Sequence, residues 1–223
     1  SLPLAHTYSC AFNMLATLYI GVHTHILGKV PSPKILMKAF AEIRPVLIIS
    51  VPLILEKIYK QSIVPVIERS TIKTLLRIPL LRKLVYRVIR KKLTDGLGGN
   101  FREVIVGGAP LSTEVAAFLH RIGFPLTVGY GMTECAPLIS FTPDNEFKAG
   151  SCGRYLHELL EVKIDSPDPQ HEAGEIIVRG EHVMKGYYKN EKDTEKVLEP
   201  DGWLHTGDMA TMDPDGTLYI RGR

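Results

Sequence analysis

A strand, a helix and a second strand in immediate succession constrain this chain more than any other feature, because each strand runs straight into glycine. Val104-Ile105-Val106 is a β-branched apolar run, and Gly107-Gly108-Ala109-Pro110 turns the chain after it. Residues 113–122 then have helical periodicity, with Ser112 or Thr113 as cap and Gly123 as stop. Leu126-Thr127-Val128 reads as the next strand and leads into a second turn, Gly129-Tyr130-Gly131. Strand, helix, strand in that order is a parallel-sheet unit. In open α/β sheets ligands bind at the carboxyl ends of the strands, where both glycine segments fall. Glycine there lets a flat ring or a phosphate approach the backbone with no Cβ in the way.

Upstream, residues 11–28 mix apolar and small side chains and predict a buried helix followed by a short strand. Pro31 and Pro33 mark a loop, and residues 34–44 read as a helix with Ile35, Leu36, Ala39, Phe40 and Ile43 on one face. Arg44-Pro45 ends it, since a residue before proline is pushed out of the helical region. Val46-Leu47-Ile48-Ile49 predicts a strand covered on both faces, and Pro52 opens a helix carrying Ile54, Leu55 and Ile58. Residues 63–93 read as helical with interruptions at Pro65 and Pro79. In the last part Leu81, Leu84, Val85 and Val88 share a face, flanked by Lys83, Arg87, Arg90 and Lys91. After Pro143 the texture changes to short strands, Val162–Asp165, Ile176–Arg179 and Thr217–Ile220, with a turn at Asp213-Pro214-Asp215-Gly216. The expected fold class is α/β: a parallel-sheet αβα layer followed by a smaller antiparallel, barrel-like β subdomain. The corresponding domains are 1–143, with a helical basic insertion at about 57–102, and 144–223.

Charge is unevenly spread. Of 27 Lys and Arg and 24 Asp and Glu, twelve and two fall between Lys57 and Arg102, so a polycationic segment sits in an otherwise mildly acidic chain. A solvated helical face and a peripheral contact with an anionic membrane are the first two readings of that segment. Nucleic acid is the third reading and ranks last, so no such partner is expected: the segment has only Tyr59, Tyr86 and Phe101 as aromatics and matches no nucleic-acid-binding module. No apolar stretch reaches the ~20 residues of a bilayer span. Cys10, Cys135 and Cys152 form no CxxC pair, which argues against a disulfide framework or zinc knuckle and for a reducing, cytoplasmic setting. There is no HExxH helix and no GxSxG elbow. Opening on Ser1-Leu2-Pro3-Leu4, with no initiator Met, the chain is read as an internal piece of a longer protein. The sheet edge bared by such a cut would favour a homodimer.

Two acids stand where chemistry could use them. Met132-Thr133-Glu134 follows the second glycine segment; a hydroxyl can donate to a phosphate oxygen, and a carboxylate is a hard ligand for Mg²⁺. The plainer alternative is that both cap a loop. Gly202-Trp203-Leu204-His205-Thr206-Gly207-Asp208 holds an acid that either accepts from two ribose hydroxyls or stabilises its own turn. His205 reads as a packing or hydrogen-bonding residue and not as a metal ligand.

The ordered set of segments resembles the core motifs of the adenylate-forming (AMP-binding) enzyme superfamily. These are Leu2-Pro3-Leu4-Ala5-His6, Gly107-Gly108-Ala109-Pro110-Leu111, Tyr130-Gly131-Met132-Thr133-Glu134, Gly174-Glu175-Ile176 with Gly186-Tyr187-Tyr188, Gly202 to Asp208, and Arg221-Gly222-Arg223. Val51-Pro52 with Glu56-Lys57-Ile58-Tyr59, and the long basic insertion, look like the long-chain fatty-acid–CoA ligase branch, the acyl-CoA synthetases. The resemblance implies two steps: ATP and a fatty acid give an acyl-adenylate and pyrophosphate, and CoA then displaces AMP. It implies that Gly107, Gly108 and Ala109 line the adenine site, with Tyr130, next to Gly131, against the ring. Thr133 would contact phosphate, Glu134 would hold Mg²⁺, and Asp208 and Arg223 would bind the ribose. His6 corresponds to a residue near the reacting carboxylate, and a purely structural histidine is the equal alternative there. Catalytic candidates are therefore Thr133, Glu134 and His6. The resemblance also puts a phosphate loop before Leu2 and a catalytic lysine beyond Arg223, so the chain alone is expected to be inactive. Other adenylate-forming ligases, of aryl acids or amino acids, and a non-catalytic membrane-associated relative are the alternatives.

Overall fold

The first helix starts at residue 7, earlier than expected, because His6 caps it. In the computed structural model, which describes residues 3–25, 27 and 32–223, His6 Nδ1 accepts the Tyr8 N–H at 3.2 Å. α1 (Thr7–Ser9) continues through a π-helical stretch, Cys10–Leu15, into α2 (Ala16–Tyr19). This helix is half-buried where a buried one was expected, and it exposes Leu15, Leu18 and Tyr19. Residues 22–25 and 27 form no strand; the remainder of the expected strand lies outside the described residues. The chain divides into two units, Ile20–Leu126 and, together with this opening helix, Thr127–Arg223.

In the first unit, Ser32 Oγ accepts the Ile35 N–H at 3.3 Å and starts α3 (Pro33–Ile43). Arg44, before Pro45, takes a left-handed φ of 52° and stops it, as the dipeptide predicts. β1 (Leu47–Ser50) pairs in parallel with β2 (Glu103–Val106), Leu47 against Glu103 and Ser50 against Val106. The sheet order is β1-β2-β3, and the chain leaves the unit within β3 (Leu126–Val128). β1 is not covered on both faces: Ile48 and Ser50 are buried, but Leu47 is 48% exposed.

Between β1 and β2 lie α4 (Pro52–Ile58), a π-helical stretch Tyr59–Ile63, α5 (Val64–Ile67), α6 (Ser70–Arg77) and α7 (Pro79–Gly96). Pro65 and Pro79 each sit in the first turn of a new helix, where the missing N–H has no helical partner to lose. α7 buries Ile89 and Leu93, with Val85 and Tyr86 packed partly against the core. Leu84 and Val88 of the expected face are exposed, in line with Leu80. α8 (Thr113–Arg121) supplies Val115, Phe118 and Leu119 to the core formed with Ile54, Leu55, Val104 and Val106. Each such aliphatic side chain contributes roughly 1.5–3 kcal/mol by leaving water. Glu56 Oε1 accepts the Ser112 N–H and Tyr59 Oη donates to Glu114 Oε1, both at 3.0 Å. α4 thus anchors the start of α8, just after the Gly107–Pro110 turn.

The second unit is mostly antiparallel. β4 (Tyr130–Gly131) pairs with β5 (Leu138–Phe141), which pairs with β6 (Arg154–Tyr155). Within the expected turn at 129–131, Tyr130 and Gly131 form an edge strand and Gly129 links it to β3; a 3₁₀ turn at Thr133–Cys135 follows. A four-stranded sheet has the order β10-β9-β8-β7, with β7 at Leu160–Asp165, β8 at Gly174–Gly180, β9 at Leu204–Met212 and β10 at Leu218–Gly222. α9 (Glu191–Val197) comes between β8 and β9 in sequence. Ile176, Val178, Leu204, Ala210 and Leu218 are wholly buried. Trp203 holds the start of β9 between Lys163 Nζ at 4.1 Å and the Arg179 guanidinium at 4.6 Å from its ring centre.

Candidate functional site

The turn that carries Thr133 and Glu134 is shaped by its neighbours' backbone. Met132 N–H donates to Pro137 O at 2.8 Å, and Cys135 N–H donates to Met132 O at 3.0 Å. Gly131 permits this closure: a Cβ there would lie 1.8 Å from Pro137 O. Thr133 is exposed, its hydroxyl 3.3 Å from that of Thr7. Glu134 is tied from two sides, its carbonyl accepting the Met184 N–H at 2.8 Å and its Oε1 accepting from Tyr187 Oη at 2.9 Å. Burial, then the Glu134 carboxylate, raises the Tyr187 phenol above its ordinary value, so it remains a donor. The adjacent Cys135 is fully buried, and burial pushes its thiol up to about 12. That excludes a thiolate nucleophile at this turn.

Asp208 projects from β9, with a side chain only 16% exposed. Its Oδ2 accepts from Tyr130 Oη at 2.8 Å, and Arg223 Nε stands 3.4 Å from Oδ1. Burial first, and the Asp208 carboxylate second, hold the Tyr130 phenol far above its usual range. An ionised carboxylate has about four lone-pair sites. Tyr130 occupies one, Arg223 stands beside the carboxylate as an ion-pair partner, and the remaining capacity suits a pair of neighbouring hydroxyls. A cleft of about 350 Å³ is lined by Met132, Glu134, Glu175, Tyr187, His205 and Arg223, among others.

Of the expected site residues, Tyr130, Gly131, Thr133, Glu134, Asp208, Arg223 and His6 lie in the second unit. Hydrogen bonding and charge bring Tyr130, Asp208 and Arg223 together, and the cleft brings Glu134 to Arg223. His6 is exposed, with its Nδ1 committed to the helix cap. Gly107, Gly108 and Ala109 lie in the first unit; Gly107 is buried and donates its N–H to Ser50 O at 3.3 Å, and Gly108 takes a φ of 83°. Among the described residues no three His, Cys, Asp or Glu side chains group to hold a metal ion. A single carboxylate fits a Mg²⁺ that is carried in on phosphates, not a permanent metal centre.

Sequence reasoning missed Tyr187, Glu175 and Glu199. Tyr187 and Glu175 fall inside recognisable segments, yet their partners, Glu134 and His205, lie 53 and 30 residues away. No spacing rule links such positions.

The family model described as AMP-binding enzyme matches residues 1–188. The peroxisomal long chain acyl-CoA synthetase 6 of Arabidopsis thaliana is 34% identical over 244 residues, taking in 100% of this chain and 34% of that protein. A long-chain-fatty-acid–CoA ligase of Mycobacterium tuberculosis is 31% identical, over 100% of this chain and 38% of its own. The 4-coumarate–CoA ligase 5 of Oryza sativa subsp. japonica is 36% identical over 65% of this chain and 29% of its own. The chain thus spans about a third of the length of the curated relatives it matches. The o-succinylbenzoate CoA synthetase of Bacillus subtilis, solved in complex with AMP, has a TM-score of 0.71 at 25% identity, covering 100% of this chain and 40% of that one. ATP-bound MatB from Rhodopseudomonas palustris shares the fold, with a TM-score of 0.74 at 23% identity over 100% of this chain and 39% of its own.

Proposed function

Because the chain belongs to the AMP-binding enzyme family, we propose that it supplies the nucleotide site and part of the acyl site of a long-chain fatty-acid–CoA ligase. The observation that carries this reading is Asp208, held by Tyr130 and paired with Arg223, which itself lines a cleft together with Glu134. Asp208 accepts the two ribose hydroxyls, Arg223 stays beside it, and the Tyr130 ring lies against adenine, with Gly131 next to it. For the first unit by itself, the proposed role of Gly107, Gly108 and Ala109 is to offer backbone to a nucleobase. Thr133 donates its hydroxyl to the α-phosphate. A fatty-acid carboxylate oxygen then bonds to the α-phosphorus and pyrophosphate leaves, and fixed donors stabilise the charge that collects on the phosphoryl oxygens. Mg²⁺ bound with ATP, with Glu134 as its protein ligand, would neutralise part of that charge. His6 lies near the reacting carboxylate. In the second step the CoA sulfur bonds to the acyl carbon and AMP leaves.

Tyr187→Phe tests the Glu134 assignment. The variant removes one hydrogen bond to a charged group, worth ~1.5 kcal/mol, and should weaken Mg²⁺-dependent ATP binding roughly tenfold. Calorimetry with and without Mg²⁺ separates this from a general loss; an unaltered Mg²⁺ dependence would detach Tyr187 from Glu134's task.

No helix among the described residues is long and apolar enough to cross a membrane. The exposed stripe of Leu80, Leu84 and Val88, beside Lys83, Arg87 and Lys91, supports a membrane-peripheral, cytoplasmic protein that touches an anionic lipid surface. A homodimer of this chain, and a subdomain boundary near residue 143, between β5 and β6, belong to the same proposal. The match to a 4-coumarate–CoA ligase favours an aryl acid as the second reading. A panel of long-chain fatty acids, aryl acids and amino acids, each with ATP and CoA, decides between them by AMP release from the full-length ligase. Long-chain acids should lead; release with aryl acids alone would transfer the assignment. The chain by itself should support no pyrophosphate exchange.

A further inference from the structure

One wall of the cleft holds Glu175 and His205, and His205 is shared between Glu175 and a second carboxylate, Glu199. His205 Nδ1 lies 2.8 Å from Glu175 Oε2, and its Nε2 lies 2.7 Å from Glu199 Oε1. A neutral ring has one donor and could serve only one of these acceptors. Carboxylate oxygens at both nitrogens favour the imidazolium form of His205.

Glu175 has a second task. Its Oε1 accepts the Gly207 N–H at 2.8 Å. The reason lies in the pairing of β8 with β9: Glu175 faces Met209 and Ile177 faces His205, so β9 spends extra residues over the same length. Gly207 sits on that irregularity with a left-handed φ of 71°. A bulge leaves a backbone group without a ladder partner and re-aims the side chains next to it. Here the unpaired N–H is taken up by Glu175, and the re-aimed neighbour is Asp208. Thr206 closes the other side, its Oγ1 donating to Ile176 O at 2.8 Å and accepting the Asp208 N–H at 3.1 Å.

We infer that Glu175 and His205, braced by Glu199, are positioning residues that hold the Gly207 bulge and so aim Asp208 at a ribose. The inference rests on the nucleotide reading of Asp208. None of the three touches the proposed ligand atoms. Imidazolium on Oε2 orients the Glu175 carboxylate so that Oε1 meets the Gly207 N–H. When His205 loses its proton, only one of its two carboxylates keeps a donor; in the tautomer that serves Glu199, Glu175 is released and the bulge loses its brace. The groups facing His205 are Glu175 from β8 and Glu199 from the segment after α9. Glu134, Lys196 from α9 and Arg223 at the chain end line the same cleft. The hydrogen bond to Glu175, then that to Glu199, raises the His205 pKa above its ordinary value of about 6.5. A raised folded-state value means the brace is complete below about pH 6.5 and is lost as pH climbs through that raised value.

Adenosine beside AMP is a suitable probe, because it carries the ribose without a phosphate that titrates near pH 6. Calorimetry on the chain from about pH 6.5 upward should show adenosine affinity falling about tenfold in the wild type as pH climbs through the raised His205 value. His205→Gln should bind about tenfold more weakly at the lowest pH and show a flat profile. Glu199→Gln should keep near-normal affinity at the lowest pH and move the midpoint of the fall downward, which a merely structural contact would not do. It also keeps the test alive if His205→Gln fails to fold. A wild-type profile that is flat, or one that His205→Gln or Glu199→Gln reproduces unchanged, overturns the inference and leaves the nucleotide reading intact. Absence of AMP binding at every pH overturns both.

Discussion

Asp208→Ala should weaken AMP binding about a hundredfold and leave adenine binding nearly unchanged. Two ribose hydroxyls donating to one carboxylate make two charge-assisted hydrogen bonds at about 1.5 kcal/mol each, and about 3 kcal/mol is roughly a hundredfold in Kd. The variant keeps the fold, because Asp208 contributes no core packing; Ala210 and Leu204 bury β9. Its structural cost is the Tyr130 hydroxyl, which loses the acceptor at 2.8 Å, about 1 kcal/mol of stability. Arg223, 78% exposed on its side chain, returns to water at little cost. Asp208→Asn is the sharper companion, since it retains the shape and one acceptor oxygen and should fall between wild type and alanine. Calorimetry with AMP and with adenine reads both effects. A loss in AMP affinity of less than threefold would show that the ribose is held elsewhere, and with it the reading of Asp208 would fail.

Why some of this was legible in sequence and some not is visible in particular residues. Val104–Val106, the helix at Thr113–Arg121 and the stop at Arg44-Pro45 came through because local preferences and burial agree there. β9 did not, because Thr206-Gly207-Asp208 has turn composition; the glycine serves a bulge within a strand and not a chain reversal. α7 has apolar residues on two faces, and periodicity alone could not choose the one with Ile89 and Leu93 over the one with Leu84 and Val88. Glu134 and Asp208 stood out because motif order marks them. The groups that aim them, Tyr187 and Glu175, act across 53 and 32 residues of intervening chain and are set only by how β8 and its flanking loop meet the two acids.

Gly131→Ala should be the most damaging single methyl in the second unit's nucleotide residues. The added carbon would sit 1.8 Å from Pro137 O and 2.8 Å from Pro137 C, against backbone and not against a side chain that can turn aside. Relief requires the 132–137 loop to open, which breaks the Met132 N–H to Pro137 O hydrogen bond and parts β4 from β5. Overpacking of this kind costs about 1–3 kcal/mol and often more against backbone, and the lost bond adds about 1 kcal/mol. At roughly 2–4 °C per kcal/mol for a chain of this size, Tm should drop by about 10 °C. Two other glycines calibrate the result. Gly222 has nothing within 4 Å of a Cβ and no positive φ, so Gly222→Ala should be neutral. Gly207 has the same open space but a φ of 71°, so Gly207→Ala should pay only the left-handed penalty, about 1–2 kcal/mol. The order Gly131, Gly207, Gly222 in thermal melts is thus a test of close approach against backbone angle. Gly131→Ala should also lower AMP affinity more than tenfold, because Tyr130 and Thr133 flank the site of the clash. A melting point for Gly131→Ala within 2 °C of Gly222→Ala would mean the loop has slack, and Thr133 and Glu134 would then need some other support.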